Sequence, residues 1–376
     1  SKMDTHINSN LNAVCFIDSL TGWVVGNLGV ILHTLDGGQN WETQVSNIDL
    51  NIQDVFFLDG DQRWASAFNY TTTPYGTVLL KTTDGGQSWL TEVYPEENIF
   101  ITSIVYLDSL TGWMGGTPHT LVGTIDGGES WTQANIDTST LAFFPVLNIE
   151  FYNGQYGYCS GGIFDIAGVI WRTSDGGDTW YSISTDYAPA DEVHGLYMFD
   201  SLNVIGSGGD PDFGYGVGMM HTSNGGTSWV YDEIGIQGIA YDIDFINQKG
   251  GWAPLGPMGK FVYSLDTGMT WDEVSTPDSL AIFKVVFPDS LHGYAIGNNG
   301  SFLEFTPSTT VDIEEVTIRT KDIIVNQNYP NPFNQTTRIK INVSYNSNLN
   351  HNARLIVYDI NGMELISLIP VRIFDV

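Results

Sequence analysis

Short apolar runs recur through the first three hundred residues, each too brief for a helix. Val30-Ile-Leu-His-Thr34 and Val78-Leu-Leu-Lys-Thr82 are two examples. Runs of this length, bounded by Gly, Asp and Asn, predict strands with one or both faces covered. Several lead straight into the pattern Ser/Thr-x-Asp-x-Gly-x-x-Trp. It occurs six times, from Thr34 to Trp41, Thr82 to Trp89, Thr124 to Trp131, Thr173 to Trp180, Thr222 to Trp229 and Ser264 to Trp271. The fifth copy carries Asn224 for Asp and the sixth has Thr267 before Gly268. The tryptophans lie 48, 42, 49, 49 and 42 residues apart. A period near 46 residues is the length of one four-stranded propeller blade, roughly 40–50 residues.

A second pattern precedes each box: apolar-x-Phe/Tyr, a polar turn, then Gly-aromatic. Its aromatic position holds Trp23, Trp64, Trp113, Tyr158, Trp252 and Tyr294, with Val204 in the fifth copy. That makes seven copies against six boxes. The seventh, Phe283 to Thr306, stops after its third strand, and Lys2 to Asn12 aligns with the fourth strand of the first copy. The expectation is a seven-bladed propeller whose N-terminal segment closes blade seven, leaving no open edge.

Each box reads as a tight turn. Its Gly pair permits positive φ, its carboxylate accepts from nearby backbone N–H groups, and its Trp packs back onto the blade. Asp36, Trp41, Asp84, Trp89, Asp126, Trp131, Asp175, Trp180, Asn224, Trp229, Asp266 and Trp271 are therefore assigned structural roles. These residues are the Asp-box (bacterial neuraminidase) repeat, and residues 1–306 resemble the photosystem II stability/assembly factor-like propellers. The resemblance implies a fold more than a function, because the same box occurs in sialidases, xyloglucanases and sorting receptors.

The chain has 376 residues and a formal net charge of −30. Up to Thr306 there are 7 basic and 36 acidic residues, and from Pro307 onward 6 and 7. The shift marks a second module. So acidic a chain is a poor ligand for nucleic acid or anionic lipid, and no apolar run is long enough to span a bilayer. The start, Ser1-Lys2-Met3-Asp4, lacks an apolar leader; the chain is read as cytoplasmic or as having lost a signal. Cys15 and Cys159 fall in separate copies, so no disulfide between them is expected.

Residues 307–321 read as a linker and 322–376 as a small all-β module. Asn326-Gln-Asn-Tyr-Pro-Asn-Pro-Phe-Asn334 with Val357-Tyr-Asp-Ile-Asn-Gly362 resembles the C-terminal sorting domain of the type IX secretion system of Bacteroidota. That family fold is an immunoglobulin-like β-sandwich, here incomplete because Ile369 to Val376 does not match its closing strands. The resemblance implies contact with the type IX machinery and a secreted or outer-surface product. The triplet Asp-Ser-Leu at Asp18, Asp108, Asp200, Asp278 and Asp289 is read as a hairpin turn; it also resembles a Bacteroidota O-glycosylation acceptor.

Enzymatic readings are weaker. A sialidase needs three arginines on its substrate carboxylate, and the propeller has only Arg63 and Arg172. A glycoside hydrolase needs two facing carboxylates, which 36 acids make easy to find and hard to credit. The histidines show no metal spacing. Insertions point to a ligand face instead. Tyr70 and Tyr75 lie in a long loop of copy two, Phe164 and Asp165 in copy four, and Asp210, Asp212, Phe213 and Tyr215 in copy five. Asp191 lies between copies four and five. Aromatic and acidic loops suit a glycan or protein ligand, and clustered acids suit calcium. The expectation is a monomeric, non-enzymatic, secreted binding or scaffold propeller using the loop face of blades two to five, with no required cofactor. The alternatives are a surface glycoside hydrolase on a neutral polysaccharide and a membrane-complex assembly factor.

Overall fold

The computed structural model describes residues 2–3, 5–59, 62–137, 143–183, 192–210 and 216–305, with four strands beyond. Contacts divide the chain into two units, 1–307 and 308–376.

The first unit is a ring of seven four-stranded antiparallel sheets. Blade one consists of Leu11–Phe16, Gly22–Gly26, Ile31–Thr34 and Glu42–Gln44. Blade seven takes three strands from the end of the ring, Ile282–Val286, Gly293–Gly297 and Phe302–Phe305, and its fourth, Lys2–Met3, from the beginning. Lys2 lies opposite Leu303 and Met3 opposite Phe302. The Thr5 hydroxyl donates to the Gly300 carbonyl at 3.1 Å and fixes the seam further. Phe302 and Tyr294 are almost fully buried there, and pairing this strand satisfies an edge that would otherwise template association.

The first strand of each blade is the innermost. It breaks strict alternation in the same place. In six blades the register slips by one residue, at Leu11/Ala13, Ile52/Asp54, Ile101/Ser103, Val146/Asn148, Val193/Gly195 and Ile282/Lys284. The inserted residue is a β-bulge, which bends the strand and re-aims its side chains. Counted with the first residue of each slip as one, the fourth residue stays in the blade core, as Val55, Ile104, Ile149 and Leu196 do. The third and fifth residues line the axis.

The boxes repeat one set of bonds. Thr34 Oγ1 donates to Asp36 Oδ1 at 2.9 Å and accepts from Gly38 N–H at 2.9 Å. The second carboxylate contact is Asn40 N–H to Asp36 Oδ1, 2.8 Å. The equivalents at Asp84, Asp126, Asp175 and Asp266 match it, with Ser88, Ser130, Thr179 and Thr270 as donors. Asn224 makes the same turn through its amide oxygen. These donors hold the carboxyls of Asp84 and Asp126 down at about 2. Trp180, Trp89 and Trp229 are buried under their turns, whereas Trp41, Trp131 and Trp271 are half-buried.

Four of the Asp-Ser-Leu triplets cap the turn between a blade's first two strands. Asp18 Oδ1 accepts from Leu20 and Thr21 N–H at 2.8 and 2.7 Å, and Asp108, Asp200 and Asp289 repeat this. Asp278 departs from the expected hairpin. It sits in a one-turn 3₁₀ segment, Pro277–Ser279, between blades six and seven. The preceding Pro sets the first turn residue, so the chain folds without an Asp cap. No disulfide joins Cys15 and Cys159.

In the second unit Ile323–Val325 pairs antiparallel with Ile341–Val343, and Leu355–Tyr358 with Glu364–Leu368. The linker 307–321 and the Asn326 to Asn334 string lie outside the described residues, as does most of what the expected sandwich needs. Among the described residues no helix is long and apolar enough to cross a membrane.

Candidate functional site on the loop face and axial channel

In an antiparallel blade, the turn between strands two and three and the crossing to the next blade leave on the side opposite the box. The described insertions of blades two and four emerge there. The blade-two loop is wound around Asn69, which is buried. Its Nδ2 donates to the carbonyls of Thr72 and Pro74 at 2.7 and 2.8 Å, and its Oδ1 accepts from Thr71 and Thr72 N–H. This holds Tyr70 flat against Phe100, with ring centroids 4.5 Å apart, while Phe68 meets both rings edge-on. Tyr70 keeps 59% of its surface exposed, so the outer ring face is open as a shelf. Tyr75 is also exposed in the same loop, and Phe143 stands beside His119 on the next blade.

The remaining residues are not gathered with these. Phe164 is exposed and Asp165 takes a left-handed φ of 58° in the blade-four turn. Asp210 is only 7% exposed, with its N–H bonded to the Gly216 carbonyl; it is a poor rim contact. Asp191, Asp212, Phe213 and Tyr215 lie outside the described residues. Among the described residues no group of three or more His, Cys, Asp or Glu is placed to hold a metal ion, so the calcium expectation finds no cage there.

Sequence reasoning missed the axis. The seven innermost strands surround a channel of about 490 Å³. On the count from the slip, Asp54 and Lys284 are third and Glu150 fifth; in blade six, which has no slip, Asp242 just precedes the strand Asp244–Ile246 and Asp244 opens it. Each Asp carboxylate also ties its blade to the next. Asp54 Oδ2 accepts from Ile104 N–H at 2.7 Å, Asp242 Oδ2 from Val285 at 3.0 Å, and Asp244 Oδ2 from Phe287 at 2.7 Å. Lys284 Nζ lies 3.7 Å from Asp242 Oδ1. At the mouth, Tyr241 packs between His194 and Phe283.

Burial raises the Asp54 carboxyl to about 6 against the pull of Ile104 N–H and Lys284. It raises Asp244 to about 7 and pushes Asp242 up as well. Glu150 opens onto the channel, where water reaches it, yet protein surrounds it. Burial first, then the charges of Asp244 and Asp242, raise it to about 8. Burial opposes the Lys284 charge, but Asp242, Asp54 and Glu150 outweigh it, so its ammonium is held above the ordinary range. Burial and then Lys284 lower His194 to about 4.

A raised carboxyl means that the folded state holds protons the unfolded chain has released. The associated stability is full below the unfolded value near 4 and is lost as pH rises through the folded value. The box carboxylates act oppositely, losing their contribution as pH falls from about 4 towards 2. His194, lowered to about 4, works the other way between about pH 4 and 6.5, one group against four, so stability should peak near pH 4 and Tm should fall by roughly 4–8 °C between pH 5 and 8.5. Thermal scans of the parent and of Glu150→Gln test this. The variant should have a shallower slope, and equal slopes would remove Glu150 from the account.

A family model described as Photosynthesis system II assembly factor YCF48 matches residues 1–94 and 93–193. The photosystem II assembly lipoprotein Ycf48 of Synechococcus sp. (strain CC9902) is 30% identical over 188 residues, covering 50% of this chain and 41% of that protein. The chloroplastic photosystem II stability/assembly factor HCF136 of Arabidopsis thaliana is 22% identical over 314 residues, 81% of this chain and 66% of its own length. The chain thus spans less than two thirds of either relative. A solved structure described as YCF48 bound to a D1 peptide superposes with a TM-score of 0.63 at 20% identity, covering 82% of this chain and 96% of that one; at this identity the likeness establishes the fold. These relatives are assembly factors rather than enzymes. They also overturn the secreted or outer-surface placement inferred from the tail, since they are photosystem II proteins, one a lipoprotein and one chloroplastic.

Proposed function

The chain belongs to the photosynthesis system II assembly factor YCF48 family, whose model takes in residues 1–193, and on that premise we propose that it is a non-enzymatic propeller holding a polypeptide segment of a membrane complex during assembly. The family match carries this reading, and it is the assembly alternative of the sequence that it favours. A propeller of this fold is described with a D1 peptide bound, which makes a peptide-like occupant the natural first candidate. The segment would lie on the loop face, over the Tyr70–Phe100 shelf and towards the channel mouth at Tyr241. A flat exposed ring backed by a second ring offers contact area at small conformational cost. The acidic surface favours a segment with basic residues, mainly through the rate of encounter.

A labelled D1 peptide titrated into the full chain, followed by fluorescence anisotropy, tests the reading. Saturable binding is expected, weakened about tenfold in Tyr70→Ala, which corresponds to roughly 1.4 kcal/mol for a truncated aromatic contact. Absence of saturable binding, or an unchanged Kd in Tyr70→Ala, would count against the shelf as the contact.

A further inference from the structure

The opposite face carries a contact that repeats between box-bearing blades and is broken at one of their five junctions; the Gly37 carbonyl of blade one, facing the box-less blade seven, also receives no side-chain donor among the described residues. In blades two to five, the carbonyl of the residue after the box Asp or Asn accepts a side-chain bond from the preceding blade. Gln44 Nε2 donates to Gly85 O at 2.9 Å and Lys81 Nζ to Gly127 O at 3.0 Å. Trp113 Nε1 reaches Gly176 O at 3.1 Å, and the Arg172 guanidinium reaches Gly225 O. In blade six the equivalent residue is Thr267. Among the described residues no side chain donates to its carbonyl.

Three substitutions explain the gap, the first being Val204, which has no side-chain N–H to offer where blade three has Trp113. Lys81 and Arg172 each stand one residue before the box Thr, and blade five has His221 there, whose imidazole is shorter than either. In blade one the donor is Gln44, opposite Ile31 on the neighbouring strand. Its counterpart in blade five is Asp232, opposite Met219, and an ionised carboxylate only accepts. A groove of about 720 Å³ is left between blades five and six, lined by Asp200, His221, Val230, Asp232, Thr267 and Met269 among others. Burial keeps His221 below its ordinary value, only partly offset by Asp232, so it adds no cation near neutral pH. Val230 and Met269 are exposed along the groove and offer an apolar wall. Lys249 also lines the groove, from the blade-six side; its own carbonyl accepts from Thr267 N–H at 3.0 Å.

We propose that this groove takes a lysine or arginine side chain of a partner polypeptide, its charged head donating to the Thr267 carbonyl and the Asp232 carboxylate. The guest occupies the place that Lys81 and Arg172 fill from within at two of the other junctions. Its alkyl stem lies on Val230 and Met269, as long cationic side chains commonly cover apolar surface, and its head meets one charged and one neutral acceptor. The slot faces away from the Tyr70 shelf, so either site can fail without the other.

The probes are the tripeptide acetyl-Gly-Arg-Gly-amide, its citrulline counterpart and its glutamate counterpart, each titrated into the ¹⁵N-labelled full chain at about 0.15 M salt to screen the general acidic field. The arginine peptide should shift the Thr267, Gly268 and Lys249 amides saturably. Citrulline should bind at least tenfold more weakly and glutamate should leave these amides unmoved. His221→Arg should abolish the shifts by filling the slot internally, and Asp232→Asn should weaken binding severalfold, which keeps the test decisive if the first variant folds poorly. Equal binding of citrulline, shifts spread over the surface without Thr267, a response to glutamate, or full binding in both variants would overturn the proposal.

Discussion

Gly297→Ala is expected to destabilise the ring by about 3 kcal/mol or more, at the upper end of overpacking costs. The backbone there is extended, with φ −172°, so alanine meets no conformational objection. The obstacle is a neighbour. A Cβ at this position would stand 1.9 Å from the Ala281 carbonyl oxygen. A carbonyl held in the ring cannot rotate aside as a side-chain end can. Gly26, Gly116 and Gly161 meet the carbonyls of Asn10, Phe100 and Pro145 in the same way, because the second strand passes the start of the bulged first strand there; blade two holds Ala67 at the equivalent place, opposite Ile52. Gly297 lies in blade seven, where the ring's first and last strands pair, so its displacement also loosens the Lys2–Met3 strand. Gly154→Ala is the control, since nothing lies within 4 Å of its would-be Cβ. Denaturant midpoints should separate the two variants clearly, and similar midpoints would mean that the strands shift apart easily.

Trp180→Ala should cost roughly 3–5 kcal/mol, the range for removing a fully buried large aromatic. Its side chain is wholly buried, meeting Trp113 of blade three edge-on at 5.6 Å and Phe151 at 5.8 Å. Its backbone bridges to the preceding blade through Asn135 and Asp137. Trp41→Ala at the same box position should cost less than half as much, because that ring is half-buried and rests mainly on Phe302. Equal losses at the two positions would contradict a cost set by burial.

Those two tryptophans are identical in the sequence pattern and differ only through what the neighbouring blade brings to them. The same distinction governs how much else could be read. The box turns were legible because their bonds are local, running from Thr34 to Asp36 and Gly38 or from Asn40 to Asp36. Closure by the N-terminal segment was legible because blade seven lacked a strand and the chain offered one. The axial cluster was not. Asp54, Glu150, Asp242 and Lys284 are up to 230 residues apart and become neighbours only when the ring closes. A trace existed in the broken alternation of six of the seven first strands, which marks a bulge and so marks the third and fifth positions from it as axial; the blade-six strand carries no such mark. Asn224 and Thr267 were visible as departures from the box, but their meaning depends on Asp232 and His221 facing them. Asp210 looked like a rim acid because it sits in an insertion, and burial of its side chain could not be seen from the loop's length. The tail invited an outer-surface assignment that the photosystem II relatives overturn.

The central claim is that the loop face holds a polypeptide of a membrane complex. A photo-crosslinking benzoylphenylalanine placed at Tyr75, which is exposed beside the shelf, tests it in the cell, with Ile125 on the box face as the control position. The account predicts that position 75 joins the chain to a subunit of a membrane complex and that position 125 does not. Crosslinks from position 75 only to polysaccharide, or the same adducts from both positions, would contradict it.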